Sequence, residues 1–312
     1  MKILVTGSSG FIGYHLVKEL LKDGHEVIGI DNHNDYYDVK LKELRKKTLE
    51  SVKFSFFQQD INHIDIKDDD IDLAINLAAQ PGVRVKREIQ HLYQHSNVMG
   101  FEAFCNYCEY KNIKKIIYAS SSSVYSDKHT KKFIEDTTEL NPKSLYGISK
   151  MMNESYADKF CRKSSTSMIG LRFFSVYGPY GRPDMAYFLF SNAIRNNKTI
   201  YLNNNGIMAR DMTFVDDVIE GIKGSINYFN NNTHIKNEIF NLGNDNPIST
   251  QDLLSSIENI LNKKTKVVNL ETKNEALITH ADISKAKNLL GFTPKVKFKE
   301  GIKTFLDWHK NY

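Results

Sequence analysis

Residues 1–13 read MKILVTGSSGFIG, and their reading decides the fold. Lys2–Thr6 is a short apolar run with strand character. Gly7, Gly10 and Gly13 follow at three-residue spacing, and Phe11 opens FIGYHLVKELLKDG, which has helical periodicity. The next run, HEVIGID, reads as a second strand that ends on Asp31. Strand, turn, helix and strand within ~30 residues is the size of a βαβ unit. The glycines are spaced G-x-x-G-x-x-G rather than G-x-G-x-x-G, but the physics is shared. They allow a tight turn and close backbone approach, and the helix N-terminus aims its N–H groups at a diphosphate. A carboxylate at Asp31 accepts from both hydroxyls of a ribose and repels a 2′-phosphate, so the expected cofactor is NAD rather than NADP.

Working outward, VKFSFF, DLAINLA, KKIIYAS and SMIGLRFF continue as short apolar runs separated by helical patterns such as VMGFEAFCNYCEYKN and YGISKMMNESYADKF. Uninterrupted apolar strands are buried on both faces, as in parallel sheets. The expectation is an α/β fold, a Rossmann-like doubly wound parallel sheet with a smaller C-terminal substrate-binding domain. The NAD-binding domain is placed at residues 1–172, with 213–243 returning to it, and the second domain at 173–312.

Composition narrows the function. The 312 residues are 41% hydrophobic and 25% charged, with a net charge of +5. No apolar run approaches the ~20 residues of a membrane span, and the N-terminus lacks the apolar stretch of a signal peptide. Three cysteines suit a reducing cytoplasm; Cys105 and Cys108 form a C-x-x-C without a second pair, so packed thiols are expected and no metal. The lysines are scattered, KLKELRKK reads as a solvated helix face, and no basic stripe interleaved with aromatics suggests nucleic acid.

Chemistry is expected further along. Tyr146 and Lys150 stand four apart in YGISK, on one face of a helix. A free tyrosine has a pKa near ~10 and is a poor base at neutral pH; a nearby ammonium and the positive nicotinamide favour its phenolate. Lys150 is also placed to hold the nicotinamide ribose. The stretch YASSSSVYS, residues 118–126, ends a strand in hydroxyls and reads as the floor of a site.

With these residues in view, the chain resembles the extended short-chain dehydrogenase/reductases of the nucleotide-sugar epimerase and dehydratase group. The likeness runs from the glycine turn through Gln59-Asp60-Ile61, Leu77-Ala78-Ala79, the serine strand, Tyr146/Lys150, Leu171-Arg172-Phe173 and Val176-Tyr177-Gly178-Pro179 to Arg210-Asp211. It implies cofactor contacts from Gly7, Gly10, Phe11, Ile12, Gly13, Asp31, Asn32, Leu77, Ala78, Ala79, Tyr146 and Lys150. It also implies Asp60 and Ile61 beside the adenine and Asn97 near the nicotinamide. Catalytic roles fall to Ser121, Tyr146 and Lys150, and the sugar nucleotide's diphosphate to Arg210, where a bidentate guanidinium outperforms lysine. Dehydratases and decarboxylases of the group carry an acid after the catalytic hydroxyl; here Ser122 and Ser123 follow, which points to 4-epimerisation through a transient 4-keto sugar. The resemblance further implies a homodimer through helices near residues 90–110 and 146–162.

Three local stretches resemble bacterial UDP-glucuronate 4-epimerases: residues 31–42, Gln80-Pro-Gly-Val-Arg84 and Gly181-Arg182-Pro183-Asp184-Met185. They imply conversion of UDP-glucuronate to UDP-galacturonate. Gln80 and Arg84 would contact the substrate, and Arg182 with Ser122, Ser123 and Ser175 would surround the C6 carboxylate, a sensible cradle of guanidinium and hydroxyls. An alternative partner for Arg182 is Asp184. Departures from the group's pattern are Pro81, Ser126 and the loop Lys273-Asn274-Glu275. The small Thr279 keeps a UDP-N-acetylglucosamine or UDP-glucose 4-epimerase as the alternative, with a 4,6-dehydratase or decarboxylase behind it.

Overall fold

A computed structural model describes residues 1–68, 70–126, 132–137, 140–232, 234–271 and 277–312; the Lys273-Asn274-Glu275 loop lies outside the described residues. The glycine turn joins β1 (Lys2–Thr6) to α1 (Phe11–Lys22), followed by β2 (Glu26–Ile30), α2 (Val39–Lys47) and β3 (Phe54–Phe57). Next come β4 (Leu73–Asn76), a π-helical turn at Tyr93–Met99, α3 (Gly100–Tyr110), β5 (Lys115–Ser121), α4 (Leu145–Lys163) and β6 (Ser167–Phe173). The chain then leaves the sheet through β7 (Ser175–Tyr177), α5 (Ala186–Arg195), β8 (Ile200–Asn203), β9 (Ala209–Phe214) and α6 (Val215–Asn231), and returns with β10 (Asn237–Leu242). The remainder is β11 (Pro247–Ser249), α7 (Thr250–Leu261), β12 (Val267–Leu270), β13 (Ile278–Thr279), α8 (Ser284–Leu290) and α9 (Phe298–His309).

The main sheet has seven strands in the order β10-β6-β5-β4-β1-β2-β3, all parallel. Alternation along the strands explains why it is covered on both faces. Ile3, Val5, Ile117 and Ile169 join α1 and α6 on one face; Leu4, Ile116, Tyr118 and Met168 join α3 and α4 on the other. Cys105, Cys108 and Cys161 are buried free thiols in that second layer. Strand order reverses between β1 and β4, so the turns beyond Thr6 and Asn76 diverge and open a crevice, where such folds bind ligands. β9 pairs β7, β11 and β13, and β8 pairs β12, building a smaller lobe over the strands' C-terminal ends.

The two C-terminal helices close the first core. α9 buries Phe305, Leu306 and His309 against Phe188 of α5, and the His309 imidazole hydrogen-bonds Ser191 Oγ at 2.7 Å. Burial, with the charge of Arg195, lowers the His309 pKa from 6.5 to about 4. The unfolded chain therefore binds this proton first as pH falls, and the loss of stability begins near 6.5 and is complete near 4. We expect about 2 kcal/mol of destabilisation from this residue across that window. Thermal melts from pH 7 to 4.5 should fall less steeply in His309→Asn than in the native protein; parallel curves would exclude His309 as the group responsible.

Candidate active site

One continuous cavity of about 990 Å³ runs from the glycine turn, past the ends of β4 and β5, to the smaller lobe. Its dinucleotide end is set by backbone packing. Gly7 has φ +70°, and a Cβ there would lie 2.8 Å from Ala78 N; a Cβ on Gly13 would lie 2.0 Å from Gly7 O. Only glycine permits this approach of helix to turn. No side chain caps α1 at Gly10, so its first-turn N–H groups remain for a ligand anion, and Gly7, Gly10, Phe11, Ile12 and Gly13 all line the cavity. Asp31, immediately after β2, accepts from Ser9 N (3.2 Å) and His33 N (2.9 Å), one on each oxygen. Each oxygen keeps capacity for a ribose hydroxyl, so the residues present fit NAD.

The structure brings most of the expected wall together: Asn32, Ile61, Leu77, Ala78 and Ala79 beside the turn, and Arg84, Arg182, Arg210, Ser175 and Thr279 at the far end. It does not bring Asp60, Gln80 or Asn97 to the wall. Asp60 accepts from Asn32, which lines the cavity, and from Asn62; burial opposes its ionisation, but those hydrogen bonds prevail and its pKa lies below the usual value. Asn97 is 2% exposed and clamps the Gln80 peptide, accepting from its N–H (2.7 Å) and donating to its carbonyl (3.1 Å). Asn97 also donates to Ser149 Oγ on α4 (2.9 Å), so it splices the loop after β4 to the helix that carries Tyr146 and Lys150.

The serine run divides its labour. Ser120 donates to buried Glu154 (2.6 Å). Ser121 Oγ accepts from Ser123 N (3.1 Å), which caps the turn Ser122–Val124 and leaves the Ser121 proton available to a neighbour. Ser121, Ser122 and Ser123 all reach the cavity. α4 is capped by Ser144, which accepts from Gly147 N, so Tyr146 enters in the first turn and Lys150 one turn later. Gly147 is needed there because a Cβ would lie 2.3 Å from Ser123 O.

Electrostatics at this end differ from the expected arrangement. Lys150 Nζ donates to Ala119 O (2.9 Å) and stands 5.9 Å from the Tyr146 ring centre, over its face; burial lowers the Lys150 pKa to about 8. Burial raises the Tyr146 pKa above its ordinary value, opposed first by the Arg182 charge and then by a hydrogen bond with Ser121. The Arg182 charge thus favours the phenolate, a role its sequence position did not suggest. Its Nε and Nη2 bind Asp184 (3.0 and 2.5 Å), and Tyr36 OH donates to the same carboxylate (3.1 Å). Among the described residues no hydrogen bond engages Nη1, which leaves it as an edge for a ligand. Burial and the charge of Arg84 lower the Arg210 pKa, a repulsion between two cations that an anionic diphosphate would relieve.

The NAD dependent epimerase/dehydratase family matches residues 3–243. An uncharacterized protein of Methanocaldococcus jannaschii is 43% identical over 316 residues, covering 98% of this chain and 95% of its own length. UDP-glucuronate 4-epimerase 2 of Arabidopsis thaliana is 36% identical, covering 100% of this chain and 76% of that protein. The crystal structure of UDP-glucuronic acid 4-epimerase from Bacillus cereus, in complex with UDP-glucuronic acid and NAD, superposes with a TM-score of 0.93 at 33% identity, covering 100% of this chain and 99% of that one.

Gly13→Ala tests the dinucleotide end. The added Cβ must push α1 from the Gly7 carbonyl, so the purified variant should hold little or no NAD, measured by absorbance of its acid extract. A variant as fully loaded as the native protein would refute the close-packing argument.

Proposed function

The chain belongs to the NAD-dependent epimerase/dehydratase family, and from that premise we propose that it interconverts UDP-glucuronate and UDP-galacturonate by inverting the sugar at C4. The observation that carries the choice of sugar is Arg182: it lines the same cavity as Tyr146, Ser122, Ser123 and Ser175, with its Nη1 edge unspent on Asp184. A guanidinium edge flanked by hydroxyl donors matches a carboxylate. No carboxylate follows Ser121 at positions 122 and 123 to act as the extra acid or base that elimination at C5 and C6 requires.

NAD, when bound, supplies the acceptor and donor of the C4 hydride. The protein's part is proton transfer and orientation. Tyr146 takes the 4-hydroxyl proton and later returns it, while Ser121, its oxygen already committed to Ser123 N, donates to the oxygen at C4. Lys150, pinned by Ala119 O, is placed to hold the nicotinamide ribose and keeps a positive charge over the phenol ring. Arg84 and Arg210 take the UDP diphosphate. The oxidised sugar is a β-keto acid, and a carboxylate held by Arg182 is kept from the geometry in which it would leave as CO₂.

A homodimer completes the reading. Leu145, Ile148 and Met152 are exposed along one face of α4 (49, 38 and 47%), and Met99, at the start of α3, is 50% exposed. An apolar face of this kind fits a second copy of the same helices. Buried free thiols suit a cytoplasmic setting, and among the described residues no helix is long and apolar enough to cross a membrane.

Incubation with UDP-glucuronate without added NAD should produce UDP-galacturonate and no UDP-pentose, read by proton NMR of the anomeric region. Arg182→Ala should lower kcat/KM for UDP-glucuronate by roughly a hundredfold while UDP binding stays within a few-fold. Conversion of UDP-N-acetylglucosamine in place of UDP-glucuronate would overturn the carboxylate reading but not the Tyr146 chemistry. Met152→Glu should give monomers by light scattering; an unchanged mass would remove α4 from the interface.

A further inference from the structure

Arg45, on α2, is fully buried and the proposed reaction does not use it. All five of its N–H groups have acceptors. Nε and Nη2 donate to Tyr180 O (3.1 and 2.6 Å), and Nη2 also to Gly181 O (3.2 Å). Nη1 donates to Ser9 O (3.0 Å) and Tyr37 OH (2.7 Å). Every acceptor is neutral, and no described carboxylate forms an ion pair with it. Hydrogen bonds satisfy the protons of a buried cation without cancelling its charge, and a buried cation lacking a counter-charge is costly.

The acceptors belong to two turns, one at each ligand end of the cavity. Ser9 belongs to the glycine turn, whose helix N-terminus is built for a diphosphate. Tyr180 and Gly181 immediately precede Arg182. Tyr180 holds φ +55°, a left-handed conformation unfavourable for a residue with a bulky side chain, and its carbonyl takes two of the five donors. Gly181 is packed so closely that a Cβ would lie 1.9 Å from Tyr187 Oη. One guanidinium thus ties the strained turn that presents Arg182 to the turn that receives the dinucleotide.

We propose that Arg45 is a positioning residue that couples the two ligand sites, fixing Arg182 for the sugar carboxylate and contributing the buried positive charge that the dinucleotide's diphosphate neutralises. The carboxylate half rests on the function proposed above; the dinucleotide half needs only the cofactor.

The test uses Arg45→Met and Arg45→Lys. One readout is the rate at which purified protein releases NAD on dilution. The other is the ratio of dissociation constants for UDP-glucuronate and UDP, measured by calorimetry in a Tyr146→Phe background so that the sugar nucleotide is not consumed. Arg45→Met should release NAD roughly tenfold faster and lose roughly tenfold in preference for UDP-glucuronate, with UDP affinity unchanged. Arg45→Lys keeps the charge, but its compact ammonium cannot span Ser9 and Tyr180. It should therefore restore slow NAD release without restoring the preference. A residue that merely packs would weaken UDP and UDP-glucuronate together and would not separate the two readouts in Arg45→Lys. If Arg45→Met does not fold, that separation in Arg45→Lys decides alone. Native-like values in both readouts, or parallel loss of UDP, overturn the proposal. A native protein with no preference for UDP-glucuronate over UDP sinks the function reading instead, and the NAD readout then decides Arg45.

Discussion

The chemical half of the molecule depends on one buried ion pair. Arg172 on β6 donates through Nε and Nη2 to the two oxygens of Glu154 on α4, both at 2.8 Å, with side chains 3% and 9% exposed. Removing one partner of such a pair leaves an uncompensated buried charge and costs about 3–5 kcal/mol. Ser120 at the end of β5 donates to the same glutamate, and Arg172 Nη1 reaches Tyr125 OH, which donates to Asn241 on β10. Three neighbouring strands and α4 are therefore locked to one another behind the cavity. A polar network with its members satisfied specifies a single arrangement. The positions of Ser121, Tyr146 and Lys150 follow from it.

The same network shows why a run of serines is ordered rather than flexible. Ser120 is drawn to Glu154, Ser121 caps the next turn, and Gly147 brings α4 to within contact of Ser123 O. Ser120 and Ser121 have different structural partners, although in sequence they are indistinguishable. Ser121, the hydroxyl proposed to act on the sugar, is set apart by strand register and by the cap, since it pairs with Phe173 at the last residue of β5.

The parallel sheet was legible because its strands are buried on both faces and are written as uninterrupted apolar runs; the glycine turn was legible because no other residue fits at Gly7 or Gly13. Tyr146 and Lys150 stood out because their spacing is helical. Other features depend on contacts that periodicity does not encode. KLKELRKK reads as a solvated face, yet Lys42 and Arg45 are 4% and 0% exposed, Lys42 donating to Asn34 and Arg45 to the Tyr180–Gly181 turn. Asp60, Gln80 and Asn97 were expected beside ligands; Gln80 and Asn97 are 1% and 2% exposed and hydrogen-bonded to each other, and Asp60 anchors Asn32, and a pattern of types does not encode such support. Three strands of the smaller lobe, β7 and β11 at three residues and β13 at two, are too short to show alternation.

The balance of charge around Tyr146 gives the site an order of events. In the unliganded protein burial outweighs the help from Arg182 and Ser121, so the phenol keeps its proton. A sugar carboxylate on Arg182 adds a negative charge that offsets the very cation favouring the phenolate. Arg182 cannot therefore be the lasting activator of Tyr146 when the substrate is a uronate; its charge is spent on recognition. The protein's remaining contributions are the Ser121 hydrogen bond and the Lys150 ammonium 5.9 Å from the ring centre, both independent of the carboxylate. On the proposed reaction, the cation that would select a uronate is neutralised by it, while the Ser121 hydrogen bond and the Lys150 charge are not. Lys150 needs no carboxylate partner to remain in place, because the Ala119 carbonyl holds it at the end of the strand that also carries Ser121.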